Sequence, residues 1–182
     1  MWPGKHRITR QEVAVKAIQM KVSSENDSAV YNEAKILYRC VHPFIIRCIE
    51  VFEVDSKMYV ISEFCKFVDL QQYQKRICNG QLMEEEQIKV IANKIAQGVN
   101  YLHESGIVHR DLKLENILVD EKLGIVIPII TDFGFAKSVG KERRCRTICG
   151  SNGSMAPEIL RKEPYGMEVD VWAFGVLVYR LV

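Results

Sequence analysis

The chain has 182 residues, of which 48% are hydrophobic and 26% charged, and its formal net charge is +2. This length and composition are typical of one globular domain with a sizeable core. The small net charge argues against a nucleic-acid partner. The longest apolar runs, at residues 123–130 and 171–179, are much shorter than the roughly 18 residues that a membrane span needs.

The spacing of the cysteines and the first residues of the chain indicate the cellular compartment in which the protein is expected. The six cysteines include no C-x-x-C pair, and no histidine lies at zinc-finger spacing from a cysteine pair. Residues 1–21 are too rich in charge for a secretory signal. We therefore expect reduced thiols and a cytoplasmic protein, with the nucleus as an alternative and a disulfide set as a minor one.

The first part of the chain is rich in predicted strands. The β-branched stretch 13–18 predicts a strand, and residues 25–38 show apolar positions at helical spacing. Two further strands are predicted at 51–54 and 58–64, joined by a turn at 55–57. This part of the sequence therefore indicates a sheet with one helix.

The pattern then becomes largely helical. Helices are predicted at residues 69–78 and 84–104, the second amphipathic and ending at Gly106. Short strands are predicted at 107–108 and 117–119. The boundary between the two parts therefore lies near residues 65–69.

The last third of the chain contains one more strand, a long loop and a helix. Residues 125–131 predict a strand, in which Pro128 indicates an edge or a bulge. The polar, basic stretch 137–155 predicts a loop. Residues 169–182 are nearly all apolar and predict a buried helix.

Four polar side chains suit phosphoryl transfer from ATP. Asp111 is a carboxylate on a short predicted loop and a candidate catalytic base, and Lys113 is near enough to reach a transferring phosphate. Asn116 and Asp132 offer the hard oxygen ligands that Mg²⁺ prefers. These residue types are those that transfer of a phosphoryl group requires.

The predicted strand at the start of the chain adds a second candidate group. Lys16 lies on this strand with Ala14 beside it, and Glu33 lies on the following helix. Glu33 can pair with Lys16 and hold its ammonium against phosphate oxygens. Glu25 is a competing partner on the same helix.

Four motifs occur in a fixed order along the chain. They are V-A-V-K at 13–16, H-R-D-L-K-L-E-N at 109–116, D-F-G at 132–134 and A-P-E at 156–158. Together they resemble the signature set of the eukaryotic protein kinases, serine/threonine type. Any one motif arises by chance, but four in register make coincidence negligible.

The resemblance implies an α+β fold with two lobes in a single, partial kinase domain that covers residues 1–182. A small β-rich N-lobe with one helix would span residues 1–64, and a mostly helical, incomplete C-lobe would span 65–182. The branch that it resembles most is that of the calmodulin-dependent, AMP-activated and microtubule-affinity-regulating kinases.

The resemblance also implies ATP and Mg²⁺ as cofactors and a protein serine or threonine as the acceptor, since Lys113 follows Leu112 as in serine/threonine kinases. Asp111, Lys113 and Asn116 would be catalytic, and Asn116 and Asp132 would bind the metal. Nucleotide binding would involve residues of both lobes: Ala14, Lys16, Glu33, Glu63, Cys65, Asp69, Leu118 and Asp132.

Within that nucleotide site, the resemblance gives several residues distinct roles. Ala14 and Leu118 would enclose the adenine ring, and the hinge residues Glu63 and Cys65 would hold its edge. Asp69 would meet the ribose.

The stretch T-I-C-G-S at 147–151 resembles the activation segment of AMP-activated, microtubule-affinity-regulating and cyclic-AMP-dependent kinases. The resemblance makes Thr147 a phosphosite for an upstream kinase. Arg110 and Lys137 would pair with its phosphate.

Two residues are assigned by the resemblance to the protein substrate. Ser151 would lie near the catalytic residues Asp111 and Lys113. Glu115 would read a basic residue before the phosphoacceptor, as its family position sometimes does.

Three features have structural readings that we favour over functional ones. His109 is expected to be a buried packing residue rather than a catalyst. The basic run 141–146 is expected to be a solvated loop, and Cys149 a packed thiol rather than a redox switch.

The sequence departs from the family pattern in three places. No G-x-G-x-x-G precedes Lys16, and by spacing the chain begins where that loop ends. It stops at Val182 inside the apolar helix, so Glu158 lacks its usual arginine partner and the helix lacks cover. The stretch 123–130 is lengthened, and Ser154 replaces a tyrosine.

These departures leave two hypotheses. The first is an ATP-dependent serine/threonine kinase, seen as a fragment or an incomplete gene model. The second is a non-catalytic, kinase-like binding or regulatory module.

Overall fold

The computed structural model describes residues 2–20, 25–65, 68–77, 83–122, 125–139 and 144–182, with the backbone alone for 25–30 and 121–122. Predictions that fall on the remaining residues, including the first half of the basic run 141–146, lie outside the described residues.

The N-lobe is built on a four-stranded antiparallel sheet. Its strands are β1 (Trp2–Lys5), β2 (Glu12–Gln19), β3 (Cys48–Val54) and β4 (Lys57–Glu63), in the order β1-β2-β4-β3. Alternate residues of β4 are buried, namely Met58, Val60 and Ser62, as the period of a half-buried strand requires. The predicted strands are confirmed, but β1 was not predicted, because Pro3 and Gly4 hide its strand character.

Helix α1 (Glu25–Arg39) packs against this sheet and confirms the helix predicted at 25–38. Its buried residues Ala34 and Leu37 lie one turn apart, as one face of an α-helix requires. This packing fixes the orientation of the face that carries Glu33.

The described part of the C-lobe contains four α-helices and two small sheets. The helices are α2 (Leu70–Ile77), α3 (Glu85–Glu104), α4 (Pro157–Leu160) and α5 (Glu168–Leu181). The strands are β5 (Ile107–Val108), β6 (Ile117–Lys122), β7 (Ile125–Ile130) and β8 (Lys137–Ser138), paired as β5 with β8 and β6 with β7. The predicted two-lobed α+β fold is therefore confirmed.

Helix α3 forms the centre of the core. Five of its six apolar positions at helical spacing are buried, namely Ile88, Ile91, Ile95, Val99 and Leu102, and the sixth, Ala92, is half-buried. At Gly98 an added Cβ would lie 2.8 Å from Ile130 Cδ1 and 3.3 Å from the Phe44 carbonyl. A glycine here lets α3 approach β7 and the N-lobe closely.

The structure refines two predictions in the C-lobe. The predicted loop 137–155 contains β8 at its start, which is only two residues long and gives no periodicity to detect. Pro128 lies in β7 opposite Val119, and because this sheet has two strands both are edges, as predicted.

The prediction that the apolar helix is buried is wrong for one face of α5. Val169, Ala173 and Leu177 are buried, whereas Trp172 and Tyr179 are 50% and 82% exposed. The described elements pack against only one side of the helix. No helix among the described residues is long and apolar enough to cross a membrane.

Candidate active site

The loop between β5 and β6 is anchored by a buried aspartate. Asp170 of α5 is fully buried and accepts the backbone N–H groups of His109 and Arg110, each at 2.8 Å. Its carboxylate also lies 2.9 Å from His103 Nε2 of α3. These contacts hold the backbone just before Asp111 in one geometry.

His109 is buried as predicted and takes a structural position. Its Nε2 lies 3.1 Å from the Thr131 carbonyl, and its Nδ1 accepts from the Asp111 backbone N–H at 3.3 Å. The ring also packs edge-on against Phe133, with centroids 5.1 Å apart. His109 thereby ties the loop to the D-F-G motif.

Four residues meet around one carboxylate and form what we term the Asp111 cluster: Asp111, Lys113, Asn116 and Ser151. Lys113 Nζ donates to Asp111 Oδ2 at 2.8 Å and to Ser151 Oγ at 2.7 Å. Asn116 Nδ2 donates to the Asp111 carbonyl at 2.8 Å and to its Oδ2 at 2.9 Å. The structure thus places Ser151 beside Lys113 and Asp111.

The ionisation of Asp111 follows from these contacts. Burial by itself would raise the pKa of the carboxyl. The Lys113 ammonium, the nearby Ser151 hydroxyl and the Asn116 amide outweigh burial, so the pKa of Asp111 is lowered from its ordinary value. The group is therefore a carboxylate at neutral pH.

A second group of charges, which we term the Lys16 cluster, comprises Lys16, Glu33 and Asp132. Lys16 Nζ lies 2.7 Å from Glu33 Oε1 and 3.8 Å from Asp132 Oδ1. The side chain of Glu33 is 12% exposed, whereas that of Asp132 is 48% exposed. The pairing of Lys16 with Glu33 leaves one side of the cluster open to solvent.

The backbone brings the two predicted metal ligands to the same end of one hairpin. The Thr131 N–H donates to the Asn116 carbonyl at 2.9 Å, and Ile117 pairs with Ile130. Asn116, just before β6, and Asp132, just after β7, therefore lie on neighbouring backbone segments. The backbone of Asp132 is left-handed, with φ of 62°, which turns it out of the strand direction.

The donor set fits magnesium held jointly with a nucleotide. Among the described residues, no group of three or more His, Cys, Asp and Glu side chains could hold a metal ion. Mg²⁺ usually takes one or two protein oxygens and fills its remaining positions with phosphate and water. Asn116 and the exposed carboxylate of Asp132 match that requirement.

The residues predicted to hold the adenine and the ribose come from both lobes. Ala14 is buried on β2 opposite Ser62 of β4. Asp69 and Leu118 form an isolated bridge, so these two residues are neighbours. Cys65 is half-buried, two residues after the end of β4.

Glu63 lies at the last position of β4 and already has partners there. Its N–H donates to the Arg47 carbonyl, and its Oε1 accepts from the Arg47 N–H, both at 3.0 Å. These contacts position the hinge strand, and the role of Glu63 toward adenine stays a prediction.

The activation segment is held close to the catalytic loop by a glycine. Gly150 has φ of 105°, and a Cβ added there would lie 2.6 Å from the Arg110 carbonyl. Only glycine fits both the backbone conformation and the available space. This close approach brings Ser151 to Lys113.

A buried tyrosine connects Arg110 to the segment. Arg110 Nε donates to the Phe135 carbonyl at 2.6 Å and its Nη1 to Tyr165 Oη at 3.2 Å. The Tyr165 hydroxyl donates in turn to the Thr147 carbonyl at 2.5 Å. Burial raises the pKa of Tyr165 to about 12, so it stays a donor.

The predicted phosphate site is only partly assembled. Thr147 and Lys137 are exposed, and no ion pair or hydrogen bond of either side chain occurs among the described residues. Cys149 is buried, with Sγ 3.6 Å from Tyr165 Oη, which agrees with a packed thiol. The regulatory roles of Arg110, Lys137 and Thr147 stay predictions.

Two residues of this region were missed by sequence reasoning, Tyr165 and Arg180. Tyr165 contacts residues that are far away in sequence, and no motif in the neighbouring sequence predicts these contacts. Arg180 lies 3.8 Å from Glu115 Oε1, and its one signal is a charge within an apolar helix.

The arrangement of an anchored aspartate, a lysine beside it and an ion-paired lysine in the other lobe is that of a protein kinase. Comparison with known families agrees, because residues 2–182 match the protein kinase domain. The chain therefore belongs to the protein kinase family.

Several curated relatives are serine/threonine-protein kinases. The chain is 38% identical over 184 residues to serine/threonine-protein kinase H1 of Homo sapiens, covering 97% of this chain and 41% of that protein. It is 34% identical over 183 residues to serine/threonine-protein kinase ATG1c of Arabidopsis thaliana, covering 100% of this chain and 25% of the relative. The chain thus spans less than half of these relatives.

Proposed function

We propose that this chain is the core of an ATP-dependent serine/threonine protein kinase, which transfers the γ-phosphoryl group of Mg-ATP to a hydroxyl of a protein. The observation that carries the proposal is the Asp111 cluster. It combines a buried carboxylate, ionised at neutral pH, with a lysine ammonium 2.8 Å away.

One carboxylate oxygen of Asp111 lacks a hydrogen-bond donor among the described residues. Its Oδ2 accepts from Lys113 and Asn116, whereas its Oδ1 is buried and has no hydrogen-bond partner in the described parts of the chain. A buried acceptor without a donor costs free energy. An acceptor hydroxyl would supply that donor, and the carboxylate would orient it and accept its proton.

The lysines of the two clusters provide fixed positive charge. Bound Mg-ATP would supply the phosphoryl group and the charge of the metal. Lys113 would stabilise negative charge next to the acceptor hydroxyl, since its ammonium is held between Asp111 and Ser151. Lys16 would bind phosphate oxygens while Glu33 fixes its position.

The acceptor class and the regulation form the finer part of the proposal. Serine and threonine acceptors are supported by the names of the relatives and by Lys113 in the catalytic loop. Phosphorylation of Thr147 by an upstream kinase is proposed from the T-I-C-G-S stretch. A cytoplasmic location, with the nucleus as an alternative, is proposed from the cysteine usage.

The test is transfer of labelled phosphate from Mg-ATP to a generic serine-containing protein by wild type and Asp111→Asn. We expect kcat to fall about 10²- to 10⁴-fold in the variant, because an amide cannot accept the hydroxyl proton. Glu163→Gln, at an exposed position, should match wild type. Equal transfer by wild type and Asp111→Asn would contradict the proposal.

A non-catalytic binding module is the second candidate. A rise in the melting temperature with Mg-ATP, without any transfer by wild type, would favour this module.

A further inference from the structure

The catalytic loop carries an exposed carboxylate that is already paired within the chain. Glu115 Oε1 lies 3.8 Å from Arg180 Nη1 and accepts from Gln71 Nε2 at 3.3 Å. The two charged side chains are 40% and 43% exposed. A residue expected to read a basic substrate side chain therefore has an internal guanidinium beside it.

The arginine is positioned by its own helix and by α2. Gln74 Nε2 donates to the carbonyl of Arg180 at 3.1 Å and to that of Leu181 at 3.3 Å. Gln71 and Gln74 lie one turn apart on α2, so one face of this helix contacts both members of the pair. Arg180 is thus held at this place by contacts other than the ion pair.

The pair lies within reach of a bound peptide. Glu115 directly precedes Asn116, whose amide contacts the Asp111 carboxylate. An extended chain advances about 3.3–3.6 Å per residue. A peptide whose hydroxyl meets Asp111 therefore brings a side chain near Glu115 and Arg180 within a few residues of the acceptor.

The charge of this surface is positive rather than negative. Arg180 offsets Glu115, and α2 ends with the exposed residues Lys75 and Arg76. The other nearby carboxylate, Asp69, is engaged by the side chain and backbone of Gln72. Lys75 and Arg76 follow Gln74 directly in sequence, and Gln74 contacts the Arg180 carbonyl, so a negatively charged peptide side chain finds more positive than negative charge in this neighbourhood.

A basic substrate residue gains little from Glu115. Its binding there would exchange one guanidinium for another, and exposed ion pairs are each worth only about 0.2–1 kcal/mol. It would also approach Arg180, which repels it. An acidic residue is repelled by Glu115 in the same way, but it can pair with Arg180 without displacing Glu115, and the cations at the end of α2 favour it.

We propose that Arg180 is a specificity-determining residue that turns this subsite from basic to acidic, so that the chain selects acidic side chains near the phosphoacceptor. This inference rests on the proposed kinase function, because a bound peptide is a substrate only if the chain phosphorylates it. It replaces the expectation that Glu115 reads a basic residue.

The test uses the full chain and peptides in which each position from five to one before the acceptor is Glu, Ala or Arg in turn. Binding is measured by fluorescence anisotropy with an alanine in place of the acceptor, and kcat/KM with serine there. Wild type, Arg180→Ala, Arg180→Glu and Glu115→Gln are compared. Arg7→Ala, which removes an equal charge from an exposed turn of the N-lobe, is the matched control.

We expect one of the five varied peptide positions to show a preference for Glu. With the substitution at that position, wild type and Arg7→Ala should bind the Glu peptide about threefold to tenfold more tightly than the Arg peptide. Arg180→Ala should shift this ratio about fivefold toward Arg, because Glu115 is released. Arg180→Glu should shift it tenfold or more. Glu115→Gln should keep the acidic preference.

Three results would overturn the inference: tighter binding of Arg peptides by wild type, a ratio unchanged in Arg180→Ala, or no measurable peptide binding. Binding that follows Arg180 without any phosphorylation supports the acidic subsite and contradicts the kinase proposal. Phosphorylation whose peptide preference is unchanged in the Arg180 variants supports the kinase proposal and contradicts the acidic subsite.

Discussion

The Asp111 cluster and the Lys16 cluster differ in how the protein holds them. Asp111 and Asn116 are 3% and 6% exposed, and the loop that carries them is anchored by Asp170 from another helix. The side chains of Lys16 and Asp132 are 34% and 48% exposed, and the main restraint on Lys16 is its pair with Glu33. One cluster is buried and multiply bonded, and the other is open.

This difference matches the two separate tasks that the proposed function gives to the clusters. A general base must be fixed before the reaction, because misplacing it loses rate. A phosphate-binding lysine must accept a large ligand, so an open site with a single strong partner suits it. The predictions below vary the restraint on each cluster.

The largest expected effect is that of removing the anchor of the catalytic loop. Asp170→Ala leaves the N–H groups of His109 and Arg110 unsatisfied in the core and removes the partner of His103. We expect a loss of about 3–5 kcal/mol in the free energy of unfolding, measured in urea. Glu163→Ala, at an exposed site, should change it by about 0.5 kcal/mol or less. A loss below about 1 kcal/mol would show that the loop is held by other contacts.

The second prediction concerns the approach of the activation segment to the Asp111 cluster. Gly150→Ala forces a side chain onto a backbone with φ of 105° and toward the Arg110 carbonyl. We expect a destabilisation of about 2–3 kcal/mol in the same measurement. Gly153→Ala is the matched control, since a Cβ there meets no heavy atom within 4 Å. Similar values for both variants would count against this account.

The third prediction loosens the open cluster. Glu33→Gln removes the charge that fixes Lys16, and we expect Mg-ATP to bind about tenfold more weakly by calorimetry, which is about 1.4 kcal/mol. Stability should change little, because Lys16 is one-third exposed. Glu86→Gln, which removes an exposed partner of Lys89, should leave nucleotide binding unaltered. A Kd for Mg-ATP equal to that of wild type would show that the ion pair with Glu33 is not needed to position Lys16.

The smallest effect is a pH dependence of stability. The pKa of Asp111 is lowered on folding, so its ionised form stabilises the protein above the unfolded pKa, which is about 3.9. That contribution is lost as the pH falls through the folded pKa. The difference in unfolding free energy between wild type and Asp111→Asn should therefore shrink below about pH 4. A difference that is constant with pH would argue against this assignment.

Elements with a clear repeat were predicted well from the sequence. Helix α3 shows its apolar positions at every turn, and β2 is β-branched, so both were predicted to within a residue or two. Strand β1 was missed because Pro3 and Gly4 have low β-propensity, and the strand forms through its pairing with β2. Strand β8 has two residues, too few for a period.

The site was predicted where residues lie close together in sequence. Asp111, Lys113 and Asn116 share one loop and meet as expected. Tyr165 and Arg180 contact that loop from 55 and 65 residues away, and such contacts depend on tertiary packing alone. The exposed face of α5 at Trp172 and Tyr179 depends on which elements pack against the helix, and a nearly all-apolar run gives no sign of which side that is.

The bonding of Asp170 also has a consequence for how the molecule opens. Its carboxylate contacts His103 of α3 and the backbone of the loop at the same time, so a movement of α5 disturbs both contacts together. The three segments should act as one cooperative unit. The amide protons of His109 and Arg110 should then exchange with solvent only when the C-lobe unfolds as a whole.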